Sequence, residues 1–196
     1  MTETETTLSL EEVARRLDNA GIAWAVFAGA AASVYGAIRP VTDVDILVPA
    51  AEGTRAASLL PEARVKRGED GSVEWIQLPG FDILAGLKRC DAEVTYAVDL
   101  DAEMAARLTH HEVLGVSVPV IPTEDNILLK ALWGRGPEVV KHDWEDVQAM
   151  MAHLLALDWA YLRWRAEACG PRERVAQVLE CLESLAAEAM AARSMR

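Results

Sequence analysis

Hydrophobic and polar positions divide this 196-residue chain into short apolar runs and longer amphipathic stretches. Leu8 to Ala20 reads as a helix. Ser9 followed by Glu11 and Glu12 forms an N-cap with acids in the first turn, and Gly21 is a natural stop. Ile22 to Ala28 is a short apolar strand. Ala30 to Tyr35 opens a small-residue helix directly after Gly29, and Gly36 ends it. Thr42 to Val48, bounded by Pro40 and Pro49, is the next strand. Glu52 to Leu60 predicts a helix, and Val73 to Leu78 and Phe81 to Leu84 predict strands broken by Pro79-Gly80. Thr95 to Leu100 reads as a strand or as a loop entering a helix. Val113 to Ile121 reads as one β-branched strand with Pro119 near an edge. Thr123, with Glu124 and Asp125 behind it, begins a helix carrying Leu128, Leu129 and Leu132, and Gly134 to Pro137 is a break. Two long helical patterns, Asp143 to Leu157 and Arg172 to Ala192, are separated by Gly170-Pro171. The second repeats Val175, Val178, Leu179, Leu182 and Leu185 as one apolar stripe.

Strands and helices alternate first, and helices dominate after about residue 123. The expected fold class is α+β (α/β-like), with a core over residues 1–150 and a helical C-terminal extension over 151–196. Half of the residues are apolar and a quarter charged, which is ordinary for a globular protein. The formal net charge of −12 disfavours nucleic acid and anionic lipid as partners. No apolar run reaches membrane-spanning length and the acidic N-terminus is not a secretory signal, so a cytoplasmic protein is expected. Cys90, Cys169 and Cys181 have neither metal-ligand spacing nor the number for a disulfide framework and are read as reduced thiols.

The chemistry concentrates between Val26 and Val48. In a strand, Asp43 and Asp45 share one face, roughly 7 Å apart. Two like charges embedded in apolar residues need something positive between them, and hard oxygen ligands suit Mg²⁺ or Mn²⁺. Gly29 and the alanines after it allow close backbone approach of a phosphate at the turn into the next helix. Arg39 either offsets phosphate charge or bridges Asp43 or another acid. Thr42 is either a site residue or an ordinary strand residue. Lys130, within an apolar helix, either snorkels to solvent or reaches the site. Asp143 and Asp146 are expected to cap or salt-bridge the helix they open. His110, His111, His142 and His153 read as structural, and Trp159, Tyr161 and Trp164 as packing of the helical tail. Paired acids beside a phosphate turn fit phosphoryl or nucleotidyl transfer.

This segment resembles the signature of the DNA polymerase beta-like nucleotidyltransferase superfamily, and within it the small bacterial members related to abortive-infection toxins and aminoglycoside nucleotidyltransferases. Gly29-Ala30-Ala31-Ala32 matches the first part of the motif. Gly36-Ala37-Ile38-Arg39-Pro40-Val41-Thr42 matches the middle with one extra residue, and Asp43-Val44-Asp45 completes it. A second match runs from Gly115 through Lys130 and Arg135 to Lys141-His142-Asp143-Trp144-Glu145-Asp146. The resemblance implies a short mixed sheet flanked by helices and Mg²⁺-dependent transfer of a nucleoside monophosphate from an NTP to a hydroxyl acceptor. It also implies a third carboxylate from a neighbouring strand. Asp82 is the best match, with Asp91, Asp99 and Glu74 as alternatives. Asp43, Asp45 and Asp82 would hold metal and act catalytically, and Gly29, Ala30, Arg39, Thr42 and Lys130 would bind nucleotide. Ala30 stands where the family has a second glycine, so its methyl is expected to crowd a triphosphate. The net charge favours a small cationic acceptor over nucleic acid. The alternative is a binding protein of the same fold, such as a toxin–antitoxin-type component or a regulatory module; a homodimer joined by the helical tail is compatible with either function.

Overall fold

A computed structural model describes residues 8–91, 94–139, 141–153 and 156–194. The first helix, α1 (Leu10–Asn19), starts where the cap predicts: Ser9 Oγ accepts the Glu12 N–H at 3.2 Å. Strand β1 (Ala25–Phe27) is shorter than expected, because Ala28 turns left-handed (φ 56°) and sends the chain into α2 (Ala28–Val34). Then follow β2 (Val44–Val48), α3 (Gly53–Ser58), β3 (Arg64–Arg67), β4 (Val73–Leu78) and β5 (Phe81–Ala85). A ribbon of β6 (Leu87–Asp91) and β7 (Val94–Val98) leads to α4 (Ala102–Ala105), β8 (Thr109–Val113) and β9 (Val116–Val120). The chain closes with α5 (Thr123–Trp133), α6 (Asp143–His153), α7 (Trp159–Cys169) and α8 (Arg172–Ser194).

Seven strands form one mixed sheet in the order β3-β4-β5-β2-β1-β9-β8, and β6 and β7 form a separate antiparallel pair. The β2–β5 and β1–β9 pairings are parallel and the others antiparallel. Alternation along the strands gives the sheet two apolar faces. On one, Val26, Val44, Ile46 and Ile83 pack with Val13 and Leu17 of α1, Ala30 and Ala31 of α2, and Ala56 of α3. On the other, Ala25, Phe27 and Leu47 pack with Ile127 and Leu128 of α5, Met150 of α6, Leu162 of α7 and Leu182 of α8. The C-terminal helices therefore share a core with the sheet, and the stripe of Val175, Val178 and Leu182 is buried within the molecule.

The expected single strand over Val113 to Ile121 is the second half of a hairpin. Leu114 (φ 50°) and Gly115 (φ 80°) reverse the chain between β8 and β9. Three further elements escape the periodicity. All four residues of β3 are exposed, so it lacks alternation, and β6 and α7 carry charges inside their apolar patterns. The helix expected to Leu157 runs to His153, and residues 154–155 lie outside the described ones. Cys169 is buried and Cys181 exposed, both unbridged, while the Cys90 side chain lies outside the described set. Among the described residues, no helix is long and apolar enough to cross a membrane.

Candidate active site

The cleft lies where β1 turns into α2, beside the start of β2. Ala28 and Gly29 form one wall; a Cβ added at Gly29 would meet nothing within 4 Å, so this stretch of backbone is uncrowded. Ala30 does not belong to that wall. It is fully buried, and its methyl belongs to the same core as Val26 and Val44. The expected crowding of a triphosphate by this methyl is thereby removed, because the side chain faces the core.

Asp45 on β2 and Asp43, which sits one residue before that strand rather than within it as the spacing predicts, both line the cleft. Asp45 is in register with Phe27 on one side and with Asp82 on the other, so Asp45 and Asp82 stand side by side on adjacent parallel strands. Burial pushes the Asp45 carboxyl up to about 6, the charges of Asp43 and Asp82 push the same way, and Lys141 and Lys130 oppose them. Thr42 Oγ1 donates to Asp43 Oδ1 at 3.0 Å, which makes Thr42 an orienting neighbour at the cleft rim. Asp82 Oδ1 accepts from the Trp75 indole N–H at 3.0 Å. The alternatives to Asp82 are engaged elsewhere. Asp99 accepts from the Ala50 N–H at 2.9 Å, Glu74 pairs with Lys66 at 3.7 Å, and the Asp91 side chain lies outside the described set.

The opposite wall is cationic and internally paired. Lys130 is buried and bridges Asp143 (3.2 Å) and Asp146 (2.7 Å), two carboxylates with side chains 1% exposed. Arg135 pairs with Asp143 through Nε (2.8 Å), and its backbone N–H donates to the same oxygen at 3.1 Å. Arg39 grips Asp146 with Nε (2.9 Å) and a second guanidinium nitrogen. Burial works against charge on Asp143, but Arg135 and Lys130 more than offset it and hold the carboxyl below the usual range. Arg39 thus finds Asp146 rather than Asp43, Lys130 does not snorkel, and Asp143 and Asp146 bridge to other elements rather than along their own helix. His142 also lines the cleft and lies 3.3 Å from Glu145 through Nδ1.

Lys141 was not singled out from the sequence, although it lies in the Lys-His-Asp run that carries the second motif. It is exposed, lines the cleft, and has no carboxylate partner among the described residues. Its position relative to the acids emerges only from the fold. The cleft encloses about 130 Å³. Among the described residues, no three of His, Cys, Asp and Glu converge into a ready-made metal cage. The donor set nonetheless fits a hard divalent cation. Asp43, Asp45 and Asp82 are neighbouring carboxylates; burial first, and then the charges of Asp43 and Asp82, raise the Asp45 carboxyl, and a bound cation would relieve both.

This sheet with paired strand carboxylates facing a cationic wall defines a nucleotidyltransferase fold. The chain belongs to the family described as "Uncharacterised nucleotidyltransferase", whose model matches residues 1–187. Among solved structures it is similar to TM1012 from Thermotoga maritima, a candidate nucleotidyltransferase, at 17% identity and a TM-score of 0.51. That match covers 66% of this chain and 85% of the other. It is also similar to the antibiotic-resistance factor ANT(2'')-Ia, at 12% identity and a TM-score of 0.51, over 95% of this chain and 96% of that one. The same factor in complex with adenylyl-2''-tobramycin matches at 12% identity and a TM-score of 0.52, over 89% and 95%. No curated protein matches the chain.

Proposed function

We propose that the chain transfers a nucleoside monophosphate from an NTP to the hydroxyl of a small molecule and releases pyrophosphate, with Mg²⁺ or Mn²⁺ held by Asp43, Asp45 and Asp82. The observation that supports this most is the opposition, in one cleft, of the Asp43–Asp45 pair and a cationic wall. Held by these carboxylates, the ion would supply charge neutralisation for the transferring phosphoryl group. The acceptor oxygen attacks the α-phosphorus, the bond to the β-phosphate breaks, and the acceptor proton passes to Asp82. Lys141 meets the polyphosphate, because Lys130, Arg39 and Arg135 are already paired and serve to shape the wall. At about 130 Å³ the cleft is smaller than the roughly 300–1,000 Å³ that buries a drug-sized ligand, so only part of a nucleotide is enclosed.

Adenylyl-2''-tobramycin, bound to ANT(2'')-Ia, motivates the acceptor class of a hydroxylated small molecule. The net charge of −12 favours a cationic one. The Ala30 methyl and the α8 residues Val175, Val178 and Leu182, which motivate a binding-only reading, lie in the core.

Isothermal titration with non-hydrolysable NTP analogues tests the reading. Mg²⁺-dependent binding is expected, lost in Asp45→Asn. The melting temperature of that variant should be equal or higher, since a neutral isostere relieves a buried charge. A wild-type chain that binds no nucleotide, with or without Mg²⁺, sinks the proposal.

A further inference from the structure

The backbone corner that brings Gly29 to the cleft is strained, and one buried side chain holds it. We propose that Asn126 is a positioning residue whose amide locks Ala28 in its left-handed conformation and so keeps the Ala28–Gly29 wall in its nucleotide-binding form. This inference rests on the reading of the cleft as a nucleotide site.

Ala28 has φ of 56° although it carries a methyl group. Non-glycine residues rarely adopt this region, and they persist there only when their surroundings hold them. Here the hold is explicit. The Ala28 N–H donates to Asn126 Oδ1 at 2.8 Å, and Asn126 Nδ2 donates back to the Ala28 carbonyl at 3.2 Å, across 98 residues of sequence. The two bonds fix the orientation of the amide, and Nδ2 also lies 3.6 Å from Met150 Sδ. Asn126 is fully buried.

Simple filling of space does not call for an amide at this position. The α5 residues around it, Ile127, Leu128, Leu129 and Ala131, are apolar and buried. A carboxylate would accept the Ala28 N–H but repel the carbonyl; only an amide serves both. A glycine at position 28 would adopt the same conformation unaided. The chain has alanine there and an amide opposite. Asn126 and Lys130 also lie one helical turn apart on α5. The first holds the Ala28 corner and the second holds Asp143 and Asp146, so a single helix sets both walls of the cleft.

The test is titration of the full chain with Mg²⁺-bound ATP, GTP, CTP and UTP. Asn126→Leu keeps the branched outline of the side chain, at a somewhat larger volume, and removes both bonds. If the corner then spends about a tenth of its time in the binding form, Kd rises about tenfold. In an Ala28→Gly background the same substitution should cost little. This coupling is what a merely structural role would not produce, since a loosened core weakens binding equally in both backgrounds. Equal losses in the two backgrounds overturn the inference, as does unchanged binding by Asn126→Leu. Should Asn126→Leu alone fail to fold, recovery of a folded, nucleotide-binding chain on adding Ala28→Gly supports the clamp. Failure of the pair to fold overturns it. A wild-type chain that binds no nucleotide removes the functional reading and this inference together, whereas a binding wild type with indifferent variants removes the inference alone.

Discussion

Lys130 and Lys141 both line the cleft, but their surroundings give them different work. Lys130 is buried against two carboxylates, each of which keeps one arginine if the lysine is lost. Lys130→Met should therefore destabilise the chain by about 3 kcal/mol, the lower end for breaking a buried pair, and urea unfolding measures it. Lys141→Gln should leave the urea midpoint in place and weaken nucleotide binding; an unchanged Kd would remove Lys141 from the site. At this scale the sequence was informative where partners are neighbours. The i, i+2 spacing marks Asp43 and Asp45 as one acidic pair, although β2 begins at Val44 and only Asp45 lies within it. Thr42 reaching Asp43 is equally local. The link from Arg39 to Asp146 spans 107 residues, and that from Ala28 to Asn126 spans 98, and no local rule points across such distances. Lys130 stands out within its apolar helix, but the same gap hides its partners.

Among the elements, α1 could be read from its cap alone, whereas the β8–β9 hairpin could not. Its turn pairs Leu114 (φ 50°) with Gly115 (φ 80°), the positive-φ geometry for which asparagine followed by glycine is preferred. A leucine there, 64% exposed, gives no turn signal and extends the β-branched run on paper. Leu114→Asn should raise stability by about 1 kcal/mol, because asparagine tolerates the left-handed region better. Thermal melting checks this, and a lowered midpoint would show that the leucine has a packing role. Helix α7 escaped for a different reason. Its buried residues include Arg165 as well as Tyr161 and Leu162, so polar and apolar positions do not separate by face.

For the whole molecule, a buried polar cluster joins the C-terminal helices to the rest. Asp125 on α5 accepts from the Tyr161 hydroxyl at 2.6 Å and lies 3.0 Å from Arg165 Nε, while Arg165 forks onto Asp101 at 2.6 and 3.0 Å. Burial lifts the Asp125 carboxyl from 3.8 to about 6. The charges of Asp101 and Glu124 add to the rise, and Tyr161 and Arg165 oppose it. The folded chain therefore holds this proton more tightly than the unfolded one. Its contribution to stability is fully present below pH 3.8 and is lost as pH rises through 6. Between about pH 4 and pH 7, the unfolding free energy of the wild type should fall by about 2 kcal/mol relative to Asp125→Asn. Urea titrations of both proteins across that range measure the gap, and a constant gap would contradict the assignment.

The corner held by Asn126 also has a consequence for the order of events during synthesis. One half of that clamp is made early and the other 98 residues later, and the charge wall closes only when Asp146 meets Arg39. Contacts so distant along the chain form slowly and late. A nascent polypeptide that has emerged only as far as β5 already displays Asp43, Asp45 and Asp82, yet it has neither the clamp nor the cations opposite them. On the proposed function, a ribosome-bound fragment ending before α6 should expose the acids without gripping a triphosphate.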